Sequence, residues 1–174
     1  MVSVRREIVV KTLYYILLLF IFAGLETAVF PRFFNLRHTP LLLPFLCAAV
    51  AVYDGEVPGL LAGFFAGFFM DGFTGVFPYY TIMLLVAGGV IGAGSPHYFR
   101  KRIPPAMLWG AGTILVVEML RFFIFIYLPG VAGLSEAFTV VLPRAFFSLL
   151  FSPLWVGPIF WIRRFFRREQ RFYR

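Results

Sequence analysis

The chain has 174 residues, 61% of them hydrophobic and only 14% charged, with a formal net charge of +8. A soluble domain is nearer half apolar and a quarter charged, so the composition excludes an ordinary water-soluble globule and points to one compact membrane domain. The basic excess raises the question of nucleic acid, but its placement argues against that role: twelve of the sixteen Lys and Arg residues border apolar runs, where such residues set topology and meet anionic lipid headgroups.

Crossing ~30 Å of hydrocarbon takes about 20 helical residues at ~1.5 Å each. Arg5, Arg6 and Lys11 lead into the first long apolar segment, residues 12–30. Its run from Leu13 to Phe30 exceeds the h-region of a cleaved signal, and Glu26 falls where cleavage would occur, so the helix is expected to be retained. A short connection with Arg32, Arg37 and His38 follows. Residues 39–53 are apolar but short; their lone Cys47 reads as a small buried hydrophobe. Asp54-Gly55-Glu56 is turn chemistry, and segment 57–70 after it is shorter still. The cluster Asp71-Gly72-Phe73-Thr74-Gly75 with Pro78 predicts a second turn before segment 79–93. Arg100, Lys101 and Arg102 introduce segment 104–128, and the last segment, 138–162, runs into an Arg-rich tail over 163–174.

The expected fold class is therefore all-α, a polytopic membrane protein of about six transmembrane helices. Placing both termini in the cytoplasm puts twelve Lys and Arg residues inside and only Arg32 and Arg37 in outer loops. A re-entrant hairpin over 39–70 would lower the count to four crossings and keep the same bias, so both versions stay open. Trp109, Trp155 and Trp161, with Tyr14, Tyr15, Tyr79 and Tyr80, lie mostly near segment ends, as interfacial anchors do.

Gly55, Gly59, Gly63 and Gly67 recur every fourth residue and share one helical face. Small residues let another backbone approach closely where lipid supplies no hydrophobic drive between helices. The face suits packing inside the bundle or docking of a partner's transmembrane helix at Gly59, Gly63 and Gly67. Asp71 follows at the outer end, as a cap for the next helix or as a functional carboxylate.

Four further charges interrupt apolar segments: Glu26, Glu118, Arg121 and Arg144. Counting ~1.5 Å per residue from the nearest outer end places them about 6, 15, 10 and 9 Å deep, all in the outer half with Asp71. Glu118 and Arg121 are three apart on one face, and Arg144 on the next helix is level with them, so an intramembrane charge network is expected. Ion-coupled transport would use such carboxylates, but no helix carries polar residues lining a path from side to side.

No catalytic residues are expected. His38 and His97 lie in loops on opposite faces, Ser148 and Ser152 have no His nearby in sequence, and neither a nucleophile elbow nor a phosphate-binding glycine loop occurs. No metal or cofactor is expected either.

The order of features in the middle of the chain resembles a known family. A basic N-terminus and one long helix precede Pro40-Leu41-Leu42-Leu43-Pro44. Then comes Gly59-Leu60-Leu61-Ala62-Gly63-Phe64-Phe65-Ala66-Gly67-Phe68-Phe69-Met70-Asp71, followed by Gly75. This resembles the rod shape-determining MreD family, whose Gly-rich segment ending in Asp is matched by Gly59, Gly63, Gly67 and Asp71. The resemblance implies a non-catalytic scaffold of the bacterial Rod complex in the cytoplasmic membrane, supporting cell shape and lateral peptidoglycan synthesis. Its implied partners are MreC, RodA with its class B penicillin-binding protein, and indirectly MreB filaments. Arg121 and Arg144 match no family pattern, and Phe stands around Gly63 and Gly67 where Leu is usual.

The competing resemblance is to the S components of energy-coupling-factor vitamin transporters, six-helix proteins whose fold MreD resembles. Their Ala-x-x-x-Ala docking pattern on the first helix is missing, since that helix offers only Ala23 and Ala28, and the connections 31–38 and 129–137 are short. The scaffold is favoured.

Overall fold

The computed structural model describes the backbone of residues 2–33, 40–76, 78–98, 103–130 and 133–172; Arg37, His38 and the side chains of Arg5, Arg6, His97, Arg100, Lys101, Arg102, Trp155 and the 163–174 tail lie outside the described set. Among described residues the chain is helical, with no strand. Helix α1 (Val2–Gly24) continues through a π-helical turn (Leu25–Val29) into α2 (Phe30–Phe33). Then come α3 (Leu43–Asp54), α4 (Glu56–Thr74), α5 (Tyr79–Tyr98) and α6 (Ile103–Phe122), which ends in a second π-helical turn (Phe123–Tyr127), and finally α7 (Leu134–Phe172). Among the described residues, four helical stretches are long and apolar enough to cross a membrane: Val10–Phe33, Glu56–Thr74, Pro104–Tyr127 and Val141–Trp161.

The two middle segments differ from expectation in opposite ways. Segment 57–70 becomes the 19-residue α4, about 28 Å long at ~1.5 Å per residue. It runs through Asp71, Gly72 and Phe73, so the turn expected there is displaced to Gly75, which closes α4 with a left-handed φ of +70° and donates its N–H to the Asp71 carbonyl at 2.9 Å. The expected turn residues stay helical because Asp71 has its carboxylate occupied by α5 and does not compete for its own backbone. Segment 39–53 becomes the 12-residue α3, only about 18 Å long, with Leu41 and Leu42 entering as irregular buried chain.

Helix α3 is the axis of the fold. Every residue from Leu43 to Tyr53 is buried, enclosed by α4, α5, α6 and α7. A helix apolar on all sides reads from sequence like a membrane span; here protein, rather than lipid, supplies most of its surroundings. At its end the chain reverses at one residue. Gly55, with φ +96° and ψ −163°, ends α3 and starts α4, a conformation that glycine alone adopts without strain.

Helices α4 and α5 pack antiparallel along the glycine stripe. A Cβ placed at Gly59, Gly63 or Gly67 would come within 3.0 Å of the Gly88 carbonyl, the Leu84 carbonyl or the Thr81 backbone respectively. Reciprocally, Gly88 faces Gly59 and Gly92 faces Glu56. Backbones meet at contact distance over about three turns, an approach that glycine on at least one side of each contact permits.

A candidate functional site in a buried polar belt

The candidate site is a set of polar groups toward the end of the bundle where α4 meets α5. Its centre is Glu118, only 1% exposed. Its Oε2 accepts from Arg121 Nη2 at 3.0 Å, one turn along α6, and from Arg144 Nη1 of α7 at 3.3 Å. Its Oε1 accepts the Tyr80 hydroxyl of α5 at 2.7 Å. The neighbouring Tyr79 hydroxyl donates to the Val117 carbonyl at 2.5 Å. One carboxylate thus joins three helices and satisfies two guanidinium groups, the condition under which buried ion pairs are tolerated.

Asp71 sits beside this centre with 1% exposure. Its carboxylate receives the Tyr80 N–H at 2.7 Å, the Thr81 N–H at 2.9 Å and the Thr81 hydroxyl at 2.6 Å. These are unsatisfied donors of the first turn of α5, and a carboxylate there also faces the positive end of the helix dipole. Asp71 is a cap, supplied by the preceding helix across the Gly75–Pro78 turn.

Glu26 interacts electrostatically with Arg144 and Glu118, and it also makes hydrogen bonds that the sequence did not show. It lies in the π-helical turn of the first rod, and one of its oxygens accepts the Leu42 and Leu43 amides at 3.0 and 3.2 Å. The preceding Leu41 amide donates to Ser148 Oγ at 2.8 Å, and the Ser148 hydroxyl donates to the Arg144 carbonyl at 2.7 Å. Three successive amides at the start of a helix inside an apolar bundle are therefore paired, where each would otherwise cost several kcal/mol. The extra residue of a π turn changes the side-chain register of the rod, and Glu26 falls within that turn. Ser148 had been weighed only as a nucleophile; its hydroxyl is committed on both sides to backbone. Ser152 similarly donates to Leu149.

These contacts form one connected belt. It runs from Glu26 on the first rod to the α3 amides, through Ser148 and Arg144 on α7 to Glu118 on α6, and through Tyr80 on α5 to Asp71 on α4. Each of the six apolar segments contributes at least one member.

A second cluster, unexpected from the sequence, lies at the opposite end. Lys11 pairs with Asp54 at the end of α3, and the Tyr15 hydroxyl donates to the other Asp54 oxygen. Lys11 had counted only as topogenic charge and Asp54 only as a turn residue. The available signal was a lone Lys opening the first span and a lone Asp ending the short segment.

Of the two readings of the Gly59, Gly63 and Gly67 face, packing inside the bundle holds and docking of a partner's helix there does not: α5 of the same chain fills that face, and all three glycines are buried. Among described residues no group of three His, Cys, Asp or Glu side chains is arranged to hold a metal. No family model, curated protein or solved structure matches the chain.

Proposed function

We propose that this chain is a non-catalytic membrane scaffold of the MreD type, crossing the bacterial cytoplasmic membrane six times with both termini inside. In this reading it binds MreC, supports RodA and its class B penicillin-binding protein, and connects indirectly to MreB filaments in lateral peptidoglycan synthesis. The observation that carries the reading is the belt: the buried charges of the candidate site are directed at other helices of the same chain, so their chemistry makes a rigid block. The motif that carries the resemblance is used in the same way, its glycines closing α4 onto α5 and its aspartate capping α5. The charge asymmetry of the sequence supports the orientation, and the basic 163–174 stretch suits anionic lipid.

The test is affinity purification of the tagged full-length chain from native membranes, with identification of what accompanies it. Recovery of a single-pass, coiled-coil partner together with a polytopic glycosyltransferase supports the scaffold. Recovery of paired ATPases, or of a stoichiometric vitamin, overturns it in favour of an S component.

A further inference from the structure

Helix α1 and helix α4 diverge over the Lys11 half of the bundle and leave a lateral groove of about 940 Å³, with Leu46 and Val50 of α3 as its floor. Its walls stay open to the surroundings: Ile16 is 45% exposed and Leu61 56%. The groove is one leaflet deep. From Lys11 to Phe20 on α1 is about 14 Å, and from Val57 to Phe69 on α4 about 18 Å, at ~1.5 Å per residue. Half of a ~30 Å hydrocarbon core is about 15 Å. At the inner limit of that depth the rings of Phe20 and Phe69 meet edge-on, centroids 5.3 Å apart, and close the groove.

The other limit is polar and asymmetric. In the Lys11–Asp54 pair the ammonium side chain is 30% exposed and the carboxylate only 8%, so of this formally neutral pair the cation is the member within reach from outside. A lysine ammonium has three donors, and Thr12 also lines the mouth. A partner's transmembrane helix is about 30 Å long, twice the length of the groove, so half of it would lie beyond the groove. A phospholipid brings both features: acyl chains about one leaflet long and a phosphate at the headgroup level.

We propose that this groove is a phospholipid-binding site, holding acyl chains of the leaflet at the Lys11 end against α3, with the lipid phosphate at Lys11. The inference rests on α1, α3 and α4 alone and stands whether or not the scaffold assignment does.

The test quantifies phospholipid retained by the full-length chain after purification in a mild detergent, by native mass spectrometry and by extraction. Wild type is expected to hold a phospholipid through purification. Ala62→Phe, which puts a ring into the groove, is expected to lower the retained lipid about tenfold, whereas Val86→Phe on the exposed side of α5 leaves it unchanged. A second measurement uses the unmodified chain and so does not depend on a variant's folding. It is placed in phosphatidylglycerol–phosphatidylethanolamine vesicles whose acyl chains carry a photoreactive diazirine, irradiated, and mapped for adducts. Adducts concentrated at Ile16, Leu61 and Phe65 support the site. Adducts spread evenly over Val86, Val116 and Phe146 as well, equal lipid retention by Ala62→Phe and wild type, or crosslinking of a photoreactive residue at Leu61 to a polypeptide would each overturn it.

Discussion

Gly63 and Leu84 touch backbone to backbone: a Cβ built on Gly63 would stand within 3.0 Å of the Leu84 carbonyl oxygen. The obstacle is main chain, which cannot rotate aside. Gly63→Ala is therefore expected to destabilise the chain by about 1–3 kcal/mol, the usual cost of overpacking, and Gly63→Leu by more. Gly72 lies on the same helix with open space around its missing Cβ, so Gly72→Ala should be neutral or gain up to about 1 kcal/mol from helix propensity. Thermal unfolding in detergent distinguishes the two sites. If Gly63→Ala melts with wild type, the α4–α5 packing is wrong. The same geometry makes Gly63→Leu a poor probe of partner binding, because it separates two helices of the chain first.

Replacing Glu118 removes the carboxylate oxygen that Arg121 and Arg144 share. Glu118→Ala is expected to cost about 3–5 kcal/mol, the range for breaking a buried ion pair from one side. Arg144→Gln should cost less, since Arg121 still neutralises the carboxylate at 3.0 Å. A double-mutant cycle between positions 118 and 144 should give a coupling of about 0.5–3 kcal/mol. Zero coupling would mean that the depth match of these residues has no energetic content.

Much of this arrangement was legible in the sequence. Segment order followed from apolar run length and Gly/Pro punctuation, and the Glu118–Arg121 spacing with Arg144 at matching depth pointed to the ion-pair centre. Three things were not legible, for physical reasons. Spacing of four reports that some backbone comes close to Gly59, Gly63 and Gly67, but every helix offers the same backbone, so the occupant cannot be read from the stripe. Hydropathy cannot tell lipid from protein as the apolar surroundings, so α3 read as a marginal span when it is the buried axis. The bonds of Glu26 to the Leu42 and Leu43 amides were hidden because depth along one helix says nothing of rotation about it, and the π turn that carries it leaves no sequence signature.

The role of Glu26 gives a prediction that separates charge from hydrogen bonding. Glu26→Ala leaves the Leu42 and Leu43 amides without their acceptor, at a cost of about 1–3 kcal/mol for each unsatisfied buried group. Glu26→Gln keeps a carbonyl oxygen in reach and should recover part of that loss, though not the favourable interaction with the helix dipole. Hydrogen–deuterium exchange at residues 41–46 reads the effect locally. Faster exchange is expected for Ala than for Gln, with little change in α5. Equal exchange in all three proteins would show that Glu26 does not cap α3.

Gly55 tests the reversal between α3 and α4 without interference from packing. No atom lies within 4 Å of where its Cβ would be, yet its φ is +96°. Any cost of Gly55→Ala therefore comes from the backbone alone, and about 1–3 kcal/mol is expected for a non-glycine residue held in so sparse a region. The loss should spread to the Lys11 end of the bundle, because the same turn holds Asp54 under Lys11 and Tyr15. Gly94, which also has open space but no positive φ, is the matched control: Gly94→Ala should leave the melting temperature unchanged or raise it slightly through helix propensity. Equal melting of the two variants would mean that α3 and α4 do not reverse at Gly55, and the burial of α3 between its neighbours would lose its geometric basis.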